Sequence, residues 1–80
     1  MWFPMPVSYV LINVEPGSEE AVLKEVRKVQ NVKESNRVYG IYDMVAKVEA
    51  GSMDALKETI TWKIRRLPGV RSTVTTVVIE

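Results

Sequence analysis

An eight-residue stretch occurs twice in this chain, and the repetition restricts the fold more than any other feature. Val14-Glu15-Pro16-Gly17-Ser18-Glu19-Glu20-Ala21 can be laid on Val48-Glu49-Ala50-Gly51-Ser52-Met53-Asp54-Ala55 with five of the eight positions identical. Each copy reads as a strand end, a glycine break, a serine cap and the first turn of a helix. Two copies are too few for a solenoid. They suit two strand–helix–strand halves in the order β-α-β-β-α-β: an α+β, ferredoxin-like sandwich with one antiparallel sheet. Right-handed crossovers then put both helices on one face of that sheet.

The segments between the repeats agree with this order. Val7–Val14 is a strand with apolar residues at both parities, as expected of a central strand covered on both sides. A helix follows from Ser18, with Val22, Val26 and Val29 on one face, and ends near Gln30-Asn31. Val32–Tyr39 is polar enough for an edge strand, and Asp43–Glu49 alternates apolar with polar. From Ser52 a second helix carries the stripe Met53, Leu56, Ile60, Ile64 and Leu67, and Leu67-Pro68-Gly69 stops it. Val70–Glu80, rich in β-branched residues, is the last strand. Residues 1–6 form a tail in which Trp2 and Phe3 are expected to pack, and residues 7–80 a single domain. With both helices on one face, the other sheet face is bare. The second apolar set of Val7–Val14, with Val77 and Ile79 opposite Val74 and Val78, predicts a dimer joined through that face.

Composition closes off several functions. The 80 residues contain no cysteine and no histidine. That removes disulfides, ordinary zinc sites, and any histidine or cysteine that could serve as general base or nucleophile. No enzyme, metal or cofactor is expected. A net charge of +1 makes no electrostatic case for nucleic acid or an anionic membrane. No apolar run reaches the ~18 residues of a membrane span, and no signal peptide is evident, so the expected location is cytoplasmic. Lys63, Arg65 and Arg66 lie in the last turn of the second helix, where cations complement its dipole without any phosphate ligand. Trp62 lies nearly opposite the apolar stripe and reads either as a protein contact or as a lone exposed indole.

The stretch that bears on chemistry is Val38–Val45, V-Y-G-I-Y-D-M-V. Gly40 reads as the turn of a tight hairpin. Such a turn leaves nearby amides without ladder partners and sets the Asp43 carboxylate beside them. Free N–H groups and a carboxylate can together hold a zwitterion. The plainer reading is that Asp43 simply begins a strand at the surface.

The opening strand Y-V-L-I-N-V, the E-P-G break, the V-Y-G-I-Y-D-M-V hairpin and the closing G-V-R-S-T-V-T-T together resemble the effector-binding domain of the Lrp/AsnC transcription regulators, also called the RAM domain. The resemblance spans Val7 to Glu80. It implies dimers formed through the sheets, assembly into rings that are commonly octamers, and a free amino acid bound between dimers beside the hairpin. Carried over residue by residue, the contacts would be Gly40, Tyr42, Asp43, Thr73 and Thr75, with Tyr39 as a pocket wall. Asp43 would pair with the α-ammonium; the amides after Gly40 and a threonine hydroxyl would hold the α-carboxylate. Thr73 and Thr75 are equally ordinary strand formers. Full-length members carry a helix-turn-helix domain, and only six residues precede the first strand here. The resemblance is therefore to a stand-alone form, without DNA binding by the family's route and with full-length regulators among its implied partners. An ACT-like amino-acid-binding module, or a purely structural assembly module, fits the same fold. An RNA-recognition module does not, because Asp43–Glu49 lacks aromatic residues on which bases could stack.

Overall fold

Each copy of the duplicated stretch ends a strand and starts a helix. A computed structural model of the chain describes residues 5–79; the expectation for Trp2 and Phe3 lies outside the described residues. The elements are β1 (Val7–Val14), α1 (Glu19–Lys28), β2 (Val32–Arg37), β3 (Met44–Glu49), α2 (Met53–Glu58) continued by a π-helical turn (Thr59–Ile64), and β4 (Val70–Val77). The four strands form one antiparallel sheet in the order β2-β3-β1-β4. This is the ferredoxin-like β-α-β-β-α-β arrangement, with β1 and β3 central.

Alternation along the strands decides where the core lies. On one face Val10, Ile12 and Val14 of β1 and Met44, Ala46 and Val48 of β3 are buried against Val22 and Val26 of α1 and Leu56, Ile60 and Ile64 of the second helix. The opposite face carries Tyr9 and Leu11 of β1, Val45 of β3 and Val74 of β4, with Leu11 directly across from both Val45 and Val74. Tyr9 and Val74 are exposed, Leu11 and Val45 half-buried. A polar element ties edge strand β4 to the centre: the buried Ser8 hydroxyl donates to the Thr76 carbonyl, and Thr76 Oγ1 donates to the Tyr9 carbonyl at 2.8 Å.

The two repeat copies start their helices by different means. Ser52 Oγ accepts the Ala55 N–H at 3.1 Å, a side-chain cap. Ser18 occupies the cap position of α1 but makes no side-chain cap bond; instead Glu19 Oε1 accepts the Gly17 N–H at 3.0 Å. Ser52→Ala is therefore expected to lower stability by about 0.5–2 kcal/mol, and Ser18→Ala to change it little. Urea denaturation of the two variants checks the difference.

Several features differ from the sequence expectation: strand β2 ends at Arg37 rather than Tyr39, and β3 begins at Met44 rather than Asp43. Helix α1 stops at Lys28, because Val29 is extended and a turn closed by Val32 N–H to Val29 O at 3.2 Å follows. Strand β4 ends at Val77 rather than Glu80. The second helix is not α-helical throughout. Thr59 Oγ1 donates to Ala55 O at 2.9 Å and accepts Asn31 Nδ2 at 3.0 Å, and such back-bonding to the preceding turn loosens a helix. Beyond it Arg65 N–H reaches Ile60 O at 2.9 Å, a five-residue span. The widening has a packing consequence. Residues four apart drift by about 40° per step on an ideal α-helix, yet Leu56, Ile60 and Ile64 are all buried. A wider turn keeps that four-residue stripe on the sheet. No described helix is long and apolar enough to cross a membrane.

Candidate functional site

The β2–β3 connection is longer than a tight hairpin. The last rung is Val38 N–H to Asp43 O at 3.0 Å, and Tyr39, Gly40, Ile41 and Tyr42 project beyond it. Asp43 is the cause. Its N–H donates to Ile12 O at 3.0 Å, and its Oδ2 accepts the Val14 N–H at 2.9 Å. The residue is thus drawn toward β1 at the sheet's end, and the chain needs four further residues to turn. Gly40 sits at φ 131°, a conformation that L side chains rarely adopt, and a Cβ there would meet no atom of the described residues within 4 Å. The N–H groups of Tyr39, Gly40, Ile41 and Tyr42 have no backbone acceptor among the described residues.

Asp43 opens into a hollow of about 400 Å³ lined by Asn13, Ile41, Asp43, Arg71 and Ser72. Asp43 is half-buried, and only its Oδ2 enters a described hydrogen bond, so the second oxygen can take a cation. Tyr39 and Ile41 are fully exposed and Tyr42 is half-buried. Tyr39 also borders a second hollow, of about 380 Å³, with Arg37 and Val38. Gly40, Tyr42 and Asp43 are therefore gathered at one end of the sheet with unbonded amides between them. Thr73 and Thr75 lie elsewhere. They face Ile12 and Val10, on the helix-bearing side of β4, and neither lines the hollow at Asp43.

The family model of the Lrp/AsnC ligand-binding domain matches residues 7–80. The chain belongs to that family. It is 32% identical over 73 residues to an uncharacterized helix-turn-helix-type transcriptional regulator of Pyrococcus furiosus, covering 88% of this chain and 49% of the relative. The chain thus spans about half the length of that curated relative. A hypothetical protein from Pyrococcus horikoshii superposes with a TM-score of 0.88 at 34% identity, over 95% of this chain and 92% of that one. A transcriptional regulator from Neisseria meningitidis, solved as a complex with L-Met, shares the fold alone, with a TM-score of 0.85 at 16% identity over 94% of this chain and 50% of that one.

In this Lrp/AsnC domain the hollow at Asp43 includes residues that sequence reasoning passed over: Asn13, Ile41, Arg71 and Ser72. Two of them left a trace. Asn13 interrupts the apolar run Val10-Leu11-Ile12, and Arg71 is the one charged residue in β4. A polar residue inside an otherwise apolar strand is the signal that finds them.

Proposed function

We propose that this Lrp/AsnC domain is an amino-acid-binding regulatory module, cytoplasmic and oligomeric, and not an enzyme. One observation carries the reading: an anchored carboxylate, Asp43, beside a loop whose four amides lack backbone partners. Amides offer donors to an α-carboxylate, and the free oxygen of Asp43 offers a counter-charge to an α-ammonium. The L-Met complex of the Neisseria regulator, which shares the fold, is consistent with a ligand of this class. The apolar row of Tyr9, Leu11, Val45 and Val74 supports self-association through the open face. A ring of dimers, and association with full-length regulators, belong to the same reading.

Thermal shift and calorimetry with each of the twenty amino acids test it, because a ligand at a hundred times its Kd stabilises the native state by about 2.7 kcal/mol. Asp43→Asn keeps an oxygen for the Val14 N–H but removes the charge. It is expected to abolish the response while the ligand-free protein melts near the original temperature. Asp43→Ala also leaves the buried Val14 N–H unpaired and is expected to destabilise the fold by about 1–3 kcal/mol. A melting temperature unmoved by all twenty amino acids, or an undiminished response in Asp43→Asn, overturns the reading.

A further inference from the structure

The ladder between β1 and β4 is broken at the edge of the hollow. Asn13 faces Ser72 and Val14 faces Val70, so Arg71 is an extra residue with no partner across the strand. A bulge of this kind re-aims a side chain. Here it places the Arg71 side chain on the wall of the hollow that contains Asp43.

Arg71 Nε donates to Glu15 Oε2 at 2.9 Å. Glu15 is itself fixed by its N–H to Gly69 O at 2.8 Å. Both side chains are more than half exposed, so the pair adds little to stability. What it does is orient the guanidinium. With Nε engaged, the two terminal NH₂ groups have no described hydrogen-bond partner, and they present a planar fork suited to oxygen acceptors. Asn13 and Ser72 complete this wall.

An amino acid held by Asp43 and the loop amides leaves its side chain to meet that wall. An aliphatic side chain would strip water from a guanidinium, a carboxamide and a hydroxyl and give no hydrogen bond in return. A terminal oxygen replaces the lost water. We propose, resting on the amino-acid-binding reading above, that this site selects amino acids whose side chain ends in a carboxylate or carboxamide. Arg71 is the specificity-determining residue, and Glu15 both holds its guanidinium and competes for it.

Calorimetry on the full chain tests this with aspartate, asparagine, glutamate and glutamine against alanine, leucine and phenylalanine. The first four are expected to bind more tightly than the last three. Arg71→Ala is expected to weaken those four by about tenfold or more, the usual worth of a hydrogen bond to a charged group, and to leave alanine binding unchanged. Glu15→Gln removes the competing carboxylate and is expected to strengthen aspartate and glutamate more than the two amides. Tightest binding by apolar amino acids, or an Arg71→Ala effect equal for every ligand, overturns the selectivity and leaves amino-acid binding standing. If Glu15→Gln fails to strengthen the dicarboxylates, Glu15 is no competitor. Silence from all seven ligands and from the rest of the twenty overturns both readings.

Discussion

Ile12→Ala is expected to cost this domain about 2–5 kcal/mol. Ile12 is fully buried, sits on a central strand, and lies between Met44 of β3 and Thr73 of β4. Truncation removes apolar surface from the core in which the sheet packs against both helices. Neighbours on two sides are held in register by ladder hydrogen bonds, so the gap cannot close well. At the ordinary 0.05–0.15 kcal/mol per residue, 80 residues hold about 4–12 kcal/mol in all. The variant therefore approaches the limit of folding at ambient temperature. Leu11→Ala, one residue earlier, alters the open face instead and is expected to cost far less in dilute solution. If copies cover that face, its cost grows with protein concentration, because association stabilises the folded state by mass action. Urea unfolding at two concentrations reads both effects. Equal losses for Ile12→Ala and Leu11→Ala at every concentration would refute the assignment of faces.

Gly69→Ala is expected to destabilise by about 2–5 kcal/mol, from two sources that act together. Gly69 has φ 95°, and a Cβ there would lie 2.9 Å from Val22 Cγ2 and 3.0 Å from Ser18 Cβ. Neither neighbour yields easily. Val22 is buried against the sheet, and the Ser18 Cβ is tied to the backbone at the start of α1. The Gly69 carbonyl also accepts the Glu15 N–H, so relaxing the clash disturbs the link between the repeat's first copy and β4. Gly40→Ala is the informative comparison. Its φ of 131° is as unfavourable, yet among the described residues nothing lies within 4 Å of a Cβ there. Only backbone strain remains, about 1–3 kcal/mol. Thermal melts of the two variants separate packing from conformation, and an equal loss in both would remove the clash from the account.

The duplicated Gly-Ser-break stretch, the two-sided apolar character of Val7–Val14 and the stripe Met53, Leu56, Ile60, Ile64 and Leu67 were enough to set element order, sheet topology and most of the core, although Met53 is exposed and Leu67 only half-buried. These are signals of period and of turn chemistry, and both are local properties of a chain. The starts of β1, β2, β4 and both helices were legible for the same reason. The end of the second helix was not legible as a π-helical turn, because that turn depends on the Thr59 hydroxyl meeting Asn31, 28 positions away. Nor was the length of the hairpin: Gly40 announces a reversal, but only the pull of β1 on Asp43 decides where β3 begins.

By itself, then, the sequence determined the order of elements and most of the buried set, since both follow from residues near one another along the chain, and it pointed to the family through four short stretches spread from Val7 to Glu80. Which side chains share the hollow with Asp43 was decided by tertiary structure alone. Arg71 enters it through a one-residue bulge, while Thr73 and Thr75 keep the helix-facing parity of their strand. A slip of one residue in a ladder exchanges the two faces of a strand, and that slip depends on pairing with a strand more than fifty residues away.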